Sequence, residues 1–113
     1  NNLQYKLNDI LIHITRGNKL CYIMGDFNLD LLRYNDNVPT QEFIDRLFSY
    51  SFYPLISNPT RITSHTATLI DNIFTNQLSD NVFNGIVLND LSDHLPIFAC
   101  FYTDFNSLSA KGI

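Results

Sequence analysis

The segment TATLIDNIF, residues 66–74, decides how this chain folds. It is β-branched and apolar, which predicts the central strand of a sheet. Side chains alternate along a strand, so Leu69, Asp71 and Ile73 share one face. An acidic side chain in a row of core residues is costly to bury unless it is used. Asp71 is therefore the first candidate functional residue.

Apolar runs on either side of this segment predict further strands. They are residues 19–24, 52–56, 82–88 and 95–102. The run 19–24 (KLCYIM) is continuously apolar, which predicts a strand buried on both faces. Pro54 restricts its run to a short edge segment, and Gly85 predicts a bulge within the third run. Cys21 and Cys100 lie inside apolar runs, so we expect buried free thiols.

Two segments have the spacing of amphipathic helices. Residues 3–15 place Leu and Ile on one stripe, and Thr40 is a predicted N-cap for a helix that carries Phe43 and Leu47 on one face. The polar, Asn-rich stretch 31–39 predicts a loop. The order helix, strand, helix and then strands is typical of an α/β fold in which helices cover one mixed sheet.

The composition bounds the class of protein. The chain has 113 residues, 45% of them hydrophobic and only 16% charged. It can bury one core, and its low charge indicates that part of its surface faces a neighbour. The formal net charge of −4 argues against binding nucleic acid through basic patches alone. It is compatible with acidic residues that hold a divalent cation. No apolar run approaches the length of a membrane span, about 20 residues.

Three polar clusters lie where strands end or cross an apolar row. They are GDFN at 25–28, LIDNI at 69–73 and SDHLPI at 92–97. Hydrolysis of a phosphodiester needs an activated water and positive charge at the phosphoryl oxygens. Asp26 and Asn28 are two residues apart, so on an extended segment they point the same way: a carboxylate to take a proton from water, and an amide to hold a phosphate oxygen. The alternative is an Asx-turn that closes the strand.

The pair Asp93 and His94 offers a hard oxygen ligand beside an imidazole that can donate to phosphate. Asp71 can orient that imidazole. The alternatives are a hydrogen-bonded histidine at a strand end and a buried acid paired with backbone or arginine. Arg61 and Asn72 are weaker candidates for contact with a nucleic acid, against ordinary surface and turn roles.

The order and the amino-acid sequences of the three clusters resemble the motifs of the endonuclease/exonuclease/phosphatase superfamily. The segment PTRITSHTATLIDNIFTN, residues 59–76, resembles in particular the endonuclease domains that precede reverse transcriptase in non-LTR (LINE-like) retrotransposons. The resemblance implies that residues 1–103 are the C-terminal part of such a domain and that 104–113 are a tail or linker. The implied fold is the C-terminal half of a four-layer α/β sandwich, incomplete without its N-terminal half.

The resemblance also implies an activity: Mg²⁺- or Mn²⁺-dependent nicking of DNA. It gives catalytic roles to Asp26, Asn28, Asp71 and His94, and a metal-binding role to Asp93. The implied partners are DNA, an N-terminal half that adds a metal-binding Asn and Glu, and a downstream reverse transcriptase, with no membrane. Action would be intracellular, on nuclear DNA, and we expect the fragment to be inactive alone.

Other functions remain open. A catalytically dead retroelement remnant would keep the same motifs, and so would a sister phosphatase or phosphodiesterase acting on phosphoinositides, sphingomyelin or abasic DNA. Two readings are excluded. Residues 26–37 imitate an EF-hand loop, but Leu31 stands where glycine is required. A Ser92, His94 and Asp71 triad lacks a GxSxG elbow.

Overall fold

A computed structural model describes residues 2–77 and 82–101, with side chains from residue 6 onward. The elements in chain order are α1 (Asn2–Gly17), β1 (Tyr22–Asp26), a 3₁₀ helix (Leu31–Asp36), α2 (Val38–Ser49), β2 (Tyr53–Pro54), β3 (Arg61–Ile62), β4 (Ala67–Thr68), β5 (Asp71–Thr75), β6 (Val82–Ile86) and β7 (Ile97–Phe101). The mixed helix and sheet architecture is as expected from the sequence. The tail 104–113 lies outside the described residues.

The strands pair differently from the single mixed sheet that the sequence predicts. The described strands form an antiparallel sheet in the order β1-β5-β2 and two antiparallel pairs, β3-β4 and β6-β7. The central position of β5 is confirmed. The segment 66–74 is nevertheless two strands, because the Ile70 and Asp71 N–H groups donate to the side chain of Thr60. Those amides are thereby taken out of a continuous ladder.

Both helices pack on one face of the sheet β1-β5-β2. Leu7 and Leu11, one turn apart on α1, are buried against Phe43 and Leu47 of α2 and Phe74 of β5. The rings of Phe43 and Phe74 meet edge to face with centroids 5.7 Å apart. This arrangement is a favourable one for aromatic pairs, and it fills the core under the helices. We call this side the helix-covered face.

The start of α2 corrects two local predictions. Its N-cap is Asn37, whose Oδ1 accepts the Thr40 N–H at 3.0 Å, so Thr40 is inside the helix rather than at its cap. Asparagine is at least as good an N-cap as threonine, and a proline follows in the first turn, where its missing N–H costs nothing. The stretch 31–39 is not an open loop either, since it contains the 3₁₀ helix capped by Asp30.

Strand β1 is not buried on both faces. Ile23 packs against the core, but Tyr22 and Met24, which point the other way, are 36% and 64% exposed. The reason is that β1 is an edge strand of the described sheet whose other face is only partly covered: the Tyr22 ring packs against Phe101 of β7 with centroids 4.2 Å apart, whereas Met24 stays exposed. Cys100 is likewise exposed rather than buried, while Cys21 is intermediate; both are free.

The hairpin of β6 and β7 is regular, without the bulge expected at Gly85. Gly85 lies directly opposite Phe98 in the pairing. A Cβ on Gly85 would come within 2.9 Å of Cζ of Phe98, so the glycine makes room for the ring. Phe83 and Leu88 are strongly exposed. Within the described residues, no helix is long and apolar enough to cross a membrane.

Candidate functional site

Two carboxylates meet at one end of the central sheet. The antiparallel register of β1 and β5 begins at Tyr22 opposite Thr75 and ends at Asp26 opposite Asp71. Residues directly opposite each other in such a pair have side chains on the same face. The pairing of two strands therefore brings together acids that are far apart in the sequence. They lie on the face turned away from the helices, which we call the second face.

The chain turns sharply after Asp26. The φ angle of Gly25 is 154°, which other residues rarely adopt, and that of Asn28 is 52°, a left-handed conformation that asparagine tolerates. Asp26 Oδ1 accepts the Asn28 N–H at 2.9 Å. The segment is thus an Asx-turn and not extended. The prediction that the side chains of Asp26 and Asn28 point the same way along an extended segment is therefore wrong. Among the described residues, the exposed side chain of Asn28 makes no hydrogen bond.

His94 completes the cluster. Its backbone N–H donates to Ser92 Oγ at 3.2 Å, and its Nδ1 lies 3.1 Å from Oδ2 of Asp71. The Asp71 side chain is 15% exposed and that of His94 is 41% exposed. One ligand atom from each of Asp26, Asp71 and His94 lies within 4.8 Å of the others. The structure thus brings together Asp71 and His94, the two side chains that the sequence analysis paired.

Asp93 and Arg61 form an ion pair beside this cluster. Oδ2 of Asp93 is 3.2 Å from a terminal nitrogen of Arg61, and both side chains are more than 40% exposed. The pKa of the Asp93 carboxyl lies below its usual range because its own backbone N–H donates to it and because Arg61 is close. Asp93 is not part of the group of three formed by Asp26, Asp71 and His94, so its metal-binding role remains a prediction. Arg61, a candidate for DNA contact, is engaged by Asp93 here.

Asn72 does not line a surface groove, contrary to its candidacy for substrate binding. It is fully buried. Its Oδ1 accepts the Ile56 N–H at 3.1 Å and its Nδ2 donates to the Ile56 carbonyl at 3.0 Å. On β5, Asn72 alternates with Asp71 and so belongs to the helix-covered face. Its side-chain amide bonds both the backbone N–H and the backbone carbonyl of Ile56, near β2, so it is not available to a ligand on the second face.

Two residues that the sequence analysis did not select hold the site's backbone. Thr60 Oγ1 accepts from the amides of Ile70 and Asp71, and Asp30 Oδ1 accepts the Leu69 N–H at 2.9 Å. Both residues sit in turn-forming stretches, where short polar side chains often bond to backbone. That general tendency was the only available signal, because the partners lie 10 or more positions away in the chain.

The chemistry of the cluster suits a cation. Two carboxylates this close repel each other, and a divalent ion or a protonated imidazole offsets that repulsion. Carboxylate oxygens are the ligands that Mg²⁺ prefers, and Mn²⁺ also accepts imidazole. The donor set formed by Asp26, Asp71 and His94 could therefore hold a divalent cation.

Comparison with known proteins adds no relative. No family model matches this sequence, and no curated protein or solved structure is significantly similar to it. The motifs and the geometry of Asp26, Asp71 and His94 are therefore the features that point to a function.

Proposed function

We propose that this chain is part of a metal-dependent phosphodiesterase domain that nicks DNA, of the type found in non-LTR retrotransposons. The convergence of Asp26, Asp71 and His94 from three separate motifs carries the proposal. Asp26 ends β1, Asp71 begins β5 and His94 precedes β7, and stability alone does not require that all three carry side chains able to bind an ion. Their order in the chain is also that of the endonuclease/exonuclease/phosphatase motifs.

Asp26 is the general base in this proposal. It is exposed, and Oδ1 is held by the Asn28 N–H, which fixes the carboxylate in place. Oδ2 then remains an acceptor for a proton from the attacking water, and no hydrogen bond within the described residues occupies it. Asn28 keeps its proposed part as a phosphate-binding residue, since its side chain is exposed and its backbone N–H bonds Asp26.

His94 is the electrostatic donor. Because Nδ1 is paired with Asp71, Nε2 is the ring nitrogen left to donate to a phosphoryl oxygen. A carboxylate behind an imidazole fixes the ring orientation and stabilises the protonated ring. Asp71 is then a positioning residue for His94, and its 15% exposure agrees with a place behind the ring.

The ion in this proposal is Mg²⁺ or Mn²⁺. Asp93 would hold it, together with an Asn and a Glu that the resemblance places in an N-terminal half. A bound divalent cation supplies positive charge to the phosphoryl oxygens. Asp71→Asn is then expected to weaken binding of Mn²⁺ less than Asp93→Ala does, because Asp71 acts on the imidazole. A larger loss with Asp71→Asn would assign the ion to the group of three instead.

We further propose that a second sheet covers the second face, as in a four-layer sandwich. The exposure of Met24 supports this, since a second sheet would bury an apolar strand side chain that is 64% exposed. Met24 is the only methionine in the chain. In a complete domain its oxidation by peroxide, followed by mass spectrometry, should be slower than in the 113-residue chain. An equal rate would leave the face open and contradict the sandwich.

The activity is tested by joining an N-terminal half from a resembling endonuclease domain ahead of the chain. The fusion should nick supercoiled plasmid with Mg²⁺ and stop with EDTA. Asp26→Ala should lower the rate about a hundredfold or more, the usual contribution of a general base. Asp36→Ala is the matched control, because Asp36 is an exposed acid that pairs with Arg33 and is not one of the three clustered residues.

The outcomes separate the alternatives. A well-folded fusion without Mg²⁺-dependent nicking would contradict the proposal and favour a catalytically dead remnant. Hydrolysis of a phosphoinositide, or cleavage of abasic DNA in preference to intact plasmid, would favour a sister enzyme of the same superfamily. Nicking that is indifferent to Asp26 would contradict the role assigned to that residue.

A further inference from the structure

Thr60 lies between the two chain segments that carry Asp71 and His94. It is fully buried, and its Oγ1 accepts the N–H groups of Ile70 at 3.2 Å and Asp71 at 3.0 Å. Its carbonyl accepts the N–H of Leu95, the residue after His94, at 2.7 Å. One residue thus bonds to the backbone beside both members of the pair.

The sheets do not provide this connection. The partners of β5 are β1 and β2, whereas β7 pairs with β6. Within residues 2–77 and 82–101, the backbone around His94 is instead tied to the segment that begins at Thr60. Arg61 forms a β-bridge with His94, and the Ile62 N–H donates to the Asp93 carbonyl at 2.8 Å. The Thr60 side chain then joins this segment to the start of β5.

We propose that Thr60 is a positioning residue that sets the contact between the Asp71 carboxylate and the His94 imidazole. Its importance for catalysis rests on the proposed function. The contact itself can be tested without substrate or metal.

The hydroxyl oxygen is the part of Thr60 that matters for this role. Valine has nearly the same shape but cannot accept a hydrogen bond, so Thr60→Val leaves the Ile70 and Asp71 amides without a partner in a buried place. Such unpaired groups are unfavourable, and the start of β5 should shift until the amides reach water or another acceptor. The bond from Asp71 to His94, at 3.1 Å, tolerates little displacement, because hydrogen bonds weaken steeply with distance and angle.

The tautomer of His94 reports this contact directly. When a neutral imidazole donates from Nδ1 to a carboxylate, the proton stays on Nδ1. Long-range ¹H–¹⁵N spectra of the 113-residue chain distinguish the two ring tautomers. They would be recorded with EDTA at about pH 8.5, where histidines are ordinarily neutral. His13 and His65, both exposed, serve as internal references.

We expect the Nδ1–H form of His94 to dominate in the wild-type chain. Thr60→Val should move the tautomer ratio about fivefold toward Nε2–H, the change that loss of one ordinary hydrogen bond gives. Thr60→Ser keeps the oxygen and should restore the wild-type ratio. An unchanged ratio in Thr60→Val, or the same shift in Thr60→Ser, would overturn the proposal.

Thr75→Val is the matched control for general loosening of β5. Thr75 is 2% exposed, and its Oγ1 donates to the Cys21 carbonyl at 3.1 Å and accepts the Gln77 N–H at 3.0 Å. Like the Thr60 hydroxyl, it bonds two backbone groups, but at the opposite end of β5 from Asp71. Thr75→Val should reduce stability to a similar extent and leave the His94 ratio unchanged. A shift of that ratio in Thr75→Val as well would contradict a specific role for Thr60.

If Thr60→Val does not fold, hydrogen exchange in the wild-type chain still tests the proposal. In the wild-type chain, the Ile70 and Asp71 amides should exchange with deuterium as slowly as the β5 amides paired to β1, and fast exchange would overturn the proposal. These results are independent of nicking. A chain without nuclease activity can still show the tautomer shift. Conversely, if the fusion is active but its His94 tautomer ratio is unchanged by Thr60→Val, only the inference about Thr60 is refuted and the proposed function stands.

Discussion

The two faces of the sheet β1-β5-β2 differ in what covers them and in what they carry. On the helix-covered face, Phe74 is fully buried and contacts the rings of Phe27 and Phe43. On the second face, Met24 is 64% exposed, and Asp26 and Asp71 lie side by side at the end of their strands. The helix-covered face therefore carries the aromatic core, whereas the second face carries the reactive groups beside the buried Ile73. Substitutions on the two sides should have separable effects.

The largest effect is expected in the aromatic core. Phe74→Ala should lower the free energy of unfolding by about 3–5 kcal/mol, because it removes a ring from a site that the helices cannot refill completely. Phe83→Ala is the control: Phe83 is 69% exposed and loses mainly its ring contact with Phe98, worth about 1 kcal/mol. Urea unfolding of both variants checks this. Equal losses would mean that the helix-covered face is not the main source of stability.

The next largest effect is expected on the nicking rate, from a substitution on the second face. In an active fusion, His94→Ala should slow nicking about a hundredfold, the usual result of removing one donor to developing negative charge. Its free energy of unfolding should change by less than about 1 kcal/mol, since the side chain is 41% exposed. The exposed His65 provides the control variant, His65→Ala, which should leave the rate unaltered. A large loss of stability in His94→Ala would show that the faces are not separable.

Asn72 tests the boundary between the two faces, because it neighbours Asp71 but points to the other side. Asn72→Ala removes the side-chain partner of both the backbone N–H and the backbone carbonyl of Ile56 and should cost about 2 kcal/mol. Nicking by the folded fraction of an active fusion should be unaffected. If Asn72→Ala instead reduced nicking without changing stability, Asn72 would be a substrate-binding residue after all.

The smallest effect is expected at the exposed pair of Asp93 and Arg61. The folded-state pKa of Asp93 is depressed, so its contribution to stability is present above the ordinary aspartate value, about 4, and is lost as the pH falls below it. The thermal midpoint of Asp93→Asn should therefore lie slightly below that of the wild type from about pH 5 to 7, and the two should converge in acid. A difference that grows in acid would contradict the depressed pKa.

Secondary structure was predictable where the pattern is local. The stripe of Leu7, Leu11 and neighbouring residues defined α1, and the β-branched run around Ile73 defined the central strand, because both depend on spacing within the segment itself. Burial of β1 was not predictable in the same way. A strand with one covered face and a strand with two can have the same apolar sequence pattern. The exposure of Met24 depends on which elements of the fold lie over it.

The sequence by itself determined which residues have the chemistry for the site: Asp26 after a strand, Asp71 within one, and His94 before another. Only the tertiary structure decided their partners. The register of β1 against β5 places Asp26 opposite Asp71, the alternation of β5 turns Asn72 away, and the hydrogen bonds of Thr60 link β5 to the His94 segment. The physical reason is that side-chain chemistry is a property of each residue, whereas a contact requires chain segments distant in sequence to be held at hydrogen-bonding distance.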